Sequence, residues 1–319
     1  MSEMIINPGY REYTFREILT SPEYDEYRRQ WSENPKDGIT SDMPLCLDIE
    51  ITNRCNLSCP FCVREVMLKD GKKEGQGLMR WDEYMKVMKE IENKVPSVKL
   101  NWRGEPVMHP MLCDMVKQAK KAGVLEVMFN TNGTRIGLDM AKKLVGAGLD
   151  KIIFSIESID VQNYPIYRPG GQLFQVVDGV RNVLIARDAL GKDRPIVRVQ
   201  KIDFPELRTE DYVKFFRGIE PGGVDQVALN TYKEKDPDKA IEVVYNPCCQ
   251  PFQRIFIAWN GNFYPCCQGH LFEPIGNIKE MKVFDAWHSP LMNYLRTAHG
   301  TGIGYQVEEC STCQTAKGA

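Results

Sequence analysis

Leu47-Asp-Ile-Glu-Ile-Thr-Asn-Arg-Cys55-Asn-Leu-Ser-Cys59-Pro-Phe-Cys62 is the stretch on which the reading of this chain turns. It starts as a short apolar run with strand character and passes directly into a loop spaced C-x3-C-x2-C. Three thiolates on one tight loop can hold three irons of a cubane 4Fe–4S cluster and leave the fourth open to chelate a substrate. Zinc is the other reading, but a structural zinc site ordinarily takes four ligands, often as paired C-x2-C knuckles. With three cysteines it would need a histidine, and His109 is the nearest in sequence.

The same strand-then-loop arrangement repeats downstream. Short apolar runs at Leu47–Ile51, Val98–Asn101, Leu125–Asn130, Lys151–Ile156, Ile196–Ile202 and Gln226–Asn230 read as buried strands. Helical spacing fills the gaps at Trp81–Asn93, Met111–Ala122, Asp139–Ala147, Phe174–Leu190 and Thr209–Gly218. In the second of these, Met111, Leu112, Met115, Val116 and Ala119 share one face. Strand–helix alternation predicts an α/β fold with a parallel sheet and its site at the carboxyl ends of the strands. Six units fall short of a closed eight-stranded barrel, so a partial (β/α)6 TIM-type barrel is expected over residues 46–232. Residues 1–45, with helix-like pieces at Glu17–Leu19 and Tyr24–Trp31, read as an N-terminal cap. After the charged stretch Lys233–Lys239 the pattern breaks, and residues 233–319 read as a small, metal-stapled α+β domain with one clear helix near Val283–Ala298.

The chain has 319 residues and a formal net charge of −2, which argues neither for nucleic acid nor for disorder. The start lacks the pattern of a secretory signal, and no apolar run is long enough for a membrane span, so the expected location is cytoplasmic. In reducing cytosol the eleven cysteines, mostly clustered, point to metal before disulfides.

The 55–62 loop resembles the radical S-adenosylmethionine (SAM) superfamily, whose signature C-x3-C-x-aromatic-C is met here with Phe61 as the aromatic. The resemblance runs from about Leu45 to Ile202. Asn101-Trp-Arg-Gly104-Glu105-Pro106 is similar to the family's Gly-Gly-Glu-Pro motif, which meets the amino group of SAM, with Arg103 in place of the first glycine. Asn132 and Gly133 end the third strand as in relatives, and Ser155 and Glu157 end the fourth, where relatives place polar groups near the SAM carboxylate and ribose. Tyr167-Arg168-Pro-Gly-Gly171 is similar to a stretch common in members with C-terminal auxiliary clusters. The resemblance implies reductive cleavage of SAM to a 5′-deoxyadenosyl radical, hydrogen-atom abstraction from a substrate, and a flavodoxin- or ferredoxin-type electron donor.

Near the C-terminus stand Cys248-Cys249, then Gly261-x4-Cys266-Cys267, then Cys310-x2-Cys313. Four thiolates from three segments would close a fully ligated site and staple a small domain, as a cluster or as zinc. The spacing is similar to SPASM and twitch auxiliary domains, in the shorter single-cluster form, which implies a second 4Fe–4S cluster on Cys248, Cys266, Cys310 and Cys313, with Cys249 the rival of Cys248. Cys267 and the unused member of the 248–249 pair read either as small buried hydrophobes or as a hydrogen-atom donor. Gly300-Thr-Gly302-Ile-Gly304 is no dinucleotide fingerprint, and His270, His288 and His299 have no ligand-like spacing.

Resemblance to single-cluster members implies a carbohydrate or polyol substrate rather than a peptide. The expected outcome is epimerisation with Cys267 or Cys249 as donor. Dehydrogenation of a carbinol through the auxiliary cluster and modification of a ribosomal peptide are the alternatives. An electron carrier or a zinc-stapled binding module is the reading outside enzymes.

Overall fold

Alternation of side chains decides which face of each short strand meets the helices. In Cys46–Ile49, Leu47 and Ile49 are fully buried in the main core, while Cys46 and Asp48 point the other way. The same alternation sends Val98, then Val127 and Phe129, then Ile152 and Phe154, then Val197 and Val199 into that core. The computed structural model describes residues 2–7, 10–16, 20–69, 75–203, 208–231, 247–311 and 313.

Among these residues eleven strands form one sheet. They are β1 (Ser2–Asn7), β2 (Tyr10–Thr14), β3 (Cys46–Ile49), β4 (Ser97–Lys99), β5 (Glu126–Thr131) and β6 (Lys151–Ser155). There follow β7 (Ile196–Asp203), β8 (Gln226–Thr231), β9 (Arg254–Ile257), β10 (Asn262–Tyr264) and β11 (Gly276–Asn277). Their order is β1-β2-β8-β7-β6-β5-β4-β3-β9-β10-β11. Strands β3 to β8 are parallel neighbours in chain order, the partial (β/α)6 barrel that the alternation predicts. The returns are made by helices Trp81–Ile91, Leu112–Lys121, Leu138–Ala147, Leu173–Ala189 and Thr209–Arg217. On Leu112–Lys121 the buried residues are Leu112, Met115, Val116 and Ala119, the face read from the spacing.

Three features differ from the sequence reading. The N-terminal region supplies the hairpin β1–β2, whose second strand pairs antiparallel with β8, because its residues can take up that strand's free edge. The C-terminal region joins the sheet, since β9 pairs parallel with β3. The helix expected over Val283–Ala298 is two helices, Val283–Trp287 and Pro290–Gly300. Ser289 caps the second by accepting from Met292 N–H, and Pro290, which has no N–H to give, starts it. Glu17–Leu19 and Lys233–Lys239 lie outside the described residues.

Helix Pro22–Asp37 closes the amino-terminal end of the barrel. Ser21 caps its start, and Gly38 ends it with a φ of 66°. Tyr24 Oη donates to the Glu126 carboxylate at 3.1 Å, the Trp31 carbonyl accepts from Gln253 Nε2 at 2.7 Å, and the Arg254 guanidinium lies over the Trp31 ring. That leaves the carboxyl ends of the strands for chemistry. No helix among the described residues is long and apolar enough to cross a membrane.

Candidate functional site

The 55–62 loop is anchored at its root by backbone-directed side chains. Thr52 Oγ1 donates to the Gly77 carbonyl, and Asn53 bonds both to the Gly75 carbonyl and from the Gly77 N–H. Beyond the cysteines, Cys62 N–H donates to the Cys59 carbonyl and helix Val63–Lys69 begins, with Arg64 Nε reaching back to the Asn53 carbonyl at 2.9 Å. Cys59 is buried, and Cys55 and Cys62 are half-buried.

Donors point at two of the three sulfurs. Leu57 N–H and Asn132 Nδ2 point at Cys55 Sγ at 3.5 and 3.9 Å, and Arg168 Nη1 points at Cys59 Sγ at 3.7 Å. Burial pushes the Cys59 thiol up to about 11, with Arg168 pulling against it. Burial also raises Cys55, against the Leu57 N–H. Binding iron, which demands thiolates, supplies the positive charge that reverses such shifts. Three cysteines on one loop, with N–H donors aimed at two of their sulfurs, are a donor set that suits an iron–sulfur cluster held by three thiolates. His109, which a zinc site would have needed, has both ring nitrogens occupied: Nδ1 accepts from Met111 N–H and Nε2 donates to the Met79 carbonyl. Among the described residues no three Cys, His, Asp or Glu side chains are grouped as a single metal ion requires.

Beside this loop lies the segment after β4. Glu105 is buried, its carboxylate accepting from Thr131 Oγ1 at 2.8 Å, Asn132 N–H at 2.7 Å and Val107 N–H at 3.2 Å. Desolvation raises its pKa, and these donors oppose the rise. Gly104 is where backbones touch: a Cβ there would lie 2.1 Å from the Thr52 carbonyl oxygen. The tight approach thus survives although Arg103 replaces the neighbouring glycine. Arg103 turns away to form a buried two-pronged ion pair with Glu50, at 2.7 and 2.8 Å, and stacks on Trp102. Nothing in the spacing announced that pair, because Glu50 reads as one more strand-end polar residue.

Among the other expected residues, Asn132 Nδ2 donates to Asn56 Oδ1 at 3.1 Å, tying the third strand end to the cysteine loop. Glu157 and Arg168 are ion-paired with each other, and Arg168 also lies over the Phe61 ring. Asn132 thereby meets Cys55, and Arg168 meets Cys59, Phe61 and Glu157. Ser155 stands on the next strand and meets Gln200 Nε2 at 3.4 Å.

Cys248, Cys266, Cys267, Cys310 and Cys313 line one small hollow, partly open to solvent, with Phe272, Leu295 and His299 in its wall. Cys249 is exposed and is not among the lining residues. The G-x4-C step works because Gly261 turns the chain with a φ of 86°, where a Cβ would press on Ile278. Burial pushes Cys248, Cys266 and Cys310 up, the last to about 12, and neighbouring cysteines push further. A multiply charged metal centre would reverse such shifts by neutralising the thiolates. His299, which its spacing did not mark, joins this group: its ring contacts both Cys248 N–H and Cys310 Sγ.

Cys267 touches both regions, the hollow through its side chain and the segment after β4 through its carbonyl. Its amide N–H donates to Gln250 Oε1 and its thiol accepts from Gln250 Nε2 at 3.1 Å, while its carbonyl accepts from Trp102 Nε1 at 2.8 Å, two residues before Gly104.

Comparison with known proteins gives this geometry a context. Residues 49–187 match the radical SAM superfamily, and residues 248–314 match SPASM, an iron–sulfur cluster-binding domain. A tungsten-containing aldehyde ferredoxin oxidoreductase cofactor-modifying protein of Pyrococcus furiosus is 26% identical over 205 residues, 63% of this chain and 55% of that one. A probable GTP 3′,8-cyclase of Sulfurisphaera tokodaii is 33% identical over 141 residues, 44% of this chain and 43% of the relative. The chain thus spans about half the length of these curated relatives. Among solved structures, BtrN in complex with AdoMet and 2-DOIA has a TM-score of 0.55 at 16% identity, covering 88% of this chain and 93% of that one. Streptococcus suis SuiB bound to SAM has a TM-score of 0.55 at 14% identity, covering 95% and 78%. At these identities the likeness is one of fold.

Proposed function

We propose that this radical SAM protein, which carries a C-terminal iron–sulfur cluster-binding domain of the SPASM type, abstracts a hydrogen atom from a C–H bond of a carbohydrate or polyol and returns one to the opposite face. Its cofactors are SAM, the 4Fe–4S cluster that binds it, and an auxiliary iron–sulfur centre, and together they supply reductive cleavage of SAM to a 5′-deoxyadenosyl radical. Cys55, Cys59 and Cys62 hold three irons of the first cluster. Glu105, fixed by Thr131 and Asn132, accepts from the methionyl amine across the close approach at Gly104. Asn132, Ser155, Glu157, Arg168 and Phe61 frame the rest of SAM. Cys248, Cys266, Cys310 and Cys313 hold the auxiliary centre.

The observation that carries the inversion is the position of Cys267, between the hollow of the second cysteine set and the Trp102–Glu105 segment. A substrate radical takes the hydrogen of its S–H: the S–H bond breaks, the new C–H bond forms, and a thiyl radical remains. One electron from a flavodoxin- or ferredoxin-type donor and one proton restore the thiol. Cys249, exposed and outside the hollow, is the weaker candidate. A polyhydroxylated substrate is supported by Asn101 and Asn130 at neighbouring strand ends, where Asn130 N–H donates to Asn101 Oδ1 at 2.7 Å and Asn130 Oδ1 is buried and accepts no hydrogen bond. The expected location is the cytoplasm.

Dehydrogenation of the same carbinol is the second reading, favoured by four thiols that would close the auxiliary centre, as an electron acceptor needs. Turnover in deuterated water separates the two, because a thiol exchanges its proton with solvent. Inversion puts deuterium into product, and Cys267→Ala then cleaves SAM without finishing the inversion. A product two hydrogens lighter, with Cys267→Ala unaffected, selects dehydrogenation. Turnover of short peptides in place of sugars overturns the substrate class.

A further inference from the structure

His299 stands on helix Pro290–Gly300 and is 1% exposed. Its Nδ1 accepts from the Cys248 N–H at 3.1 Å, and its Nε2 lies 3.5 Å from Cys310 Sγ. A backbone amide can only donate, so Nδ1 is the bare nitrogen and the ring proton sits on Nε2. That proton points at sulfur. The surroundings are apolar: Phe272, Leu295, Ala298 and Val307 cluster with Cys310, and Cys266 packs against them. In such a medium a single hydrogen bond to a charged sulfur is stronger than it would be in water.

We infer that His299 donates a hydrogen bond from Nε2 to the Cys310 thiolate of the auxiliary iron–sulfur centre and raises the reduction potential of that centre. This rests on the reading that Cys248, Cys266, Cys310 and Cys313 hold it. An N–H···S bond draws charge from the thiolate and so favours the reduced state, which carries one more negative charge. The same ring joins two ligand segments, 51 residues away at Cys248 and 11 away at Cys310. His299 is therefore a positioning and tuning residue, not a ligand.

The test is a redox titration of the anaerobically reconstituted enzyme followed by electron paramagnetic resonance, with His299→Leu and His299→Gln beside the wild type. His299→Leu should lower the reduced-to-oxidised ratio of the auxiliary centre at a fixed potential about tenfold, equivalent to about 59 mV for one electron. His299→Gln keeps an N–H and should lie between. Pulsed resonance on the wild type should detect an exchangeable proton coupled to the auxiliary centre, absent in His299→Leu. An unchanged potential in a fully iron-loaded His299→Leu overturns the inference, as does a nitrogen coupling strong enough for direct Nε2–iron ligation. If His299→Leu does not load iron, the intermediate potential and retained proton coupling of His299→Gln decide. A wild type with only about four irons, all lost on replacing Cys55, Cys59 and Cys62, is a separate result: it removes the auxiliary-centre reading itself.

Discussion

Cys55, Cys59 and Cys62 lie on a single loop, whereas Cys248, Cys266, Cys310 and Cys313 are gathered from three segments of the last quarter of the chain. The loop cysteines are met by charged and amide donors, Arg168 and Asn132, while the later ones are walled by Phe272 and Leu295. The first region is framed by groups that can receive a polar ligand; the second is a small apolar hollow whose cysteines come from separate segments. On the proposed reading, metal at the first site would serve chemistry, and at the second it would also serve folding.

The largest expected effect tests that contrast directly. Reconstituted protein should hold about eight irons, as two 4Fe–4S clusters require. Replacing Cys55, Cys59 and Cys62 with Ala should remove about half and abolish SAM cleavage, leaving a soluble protein. Cys313→Ala should also lose about half the iron, but with reduced solubility. Iron analysis beside size-exclusion yield reads both, and a soluble, fully active Cys313→Ala enzyme would break the comparison.

Next comes the ion pair beside the first site. Arg103→Gly restores the family-like glycine but strands a fully buried Glu50, which should cost about 3–5 kcal/mol in denaturant unfolding. If the variant is as stable as wild type, Glu50 does not need its partner. Pairing Arg103→Met with Glu50→Gln should recover part of the loss.

Gly104→Ala should act more locally. Its Cβ would press on the Thr52 carbonyl, so overpacking of about 1–3 kcal/mol and weaker SAM binding by calorimetry are expected. The smallest effect belongs to the second region: Ser289→Ala removes the cap of the helix that carries His299, at about 1 kcal/mol in thermal unfolding.

The six parallel strands were legible because each is a local apolar run, and five helices because their buried faces repeat at helical spacing. The break at Ser289-Pro290 was also written in the residues, though the apolar spacing across it masked the cap. The hairpin edge and β9 were not legible, since a strand's partner depends on a free edge elsewhere in the chain. Of the candidate sites, the 55–62 loop could be read as one local cysteine pattern. Arg103 could be seen to depart from the motif, but not that Glu50 would receive it.

By itself the sequence determined the partial barrel, the three-cysteine loop and the cysteine pairs of the C-terminal region, all of which depend on neighbours within a few residues. Only the tertiary structure decided that Cys248 and not Cys249 lines the hollow, that Cys267 stands between the two regions, and that His299 spans Cys248 and Cys310. Adjacent cysteines have identical local signals, and a histidine 51 residues from its amide donor has none; burial and hydrogen-bond direction, which tell them apart, exist only once the distant segments have packed.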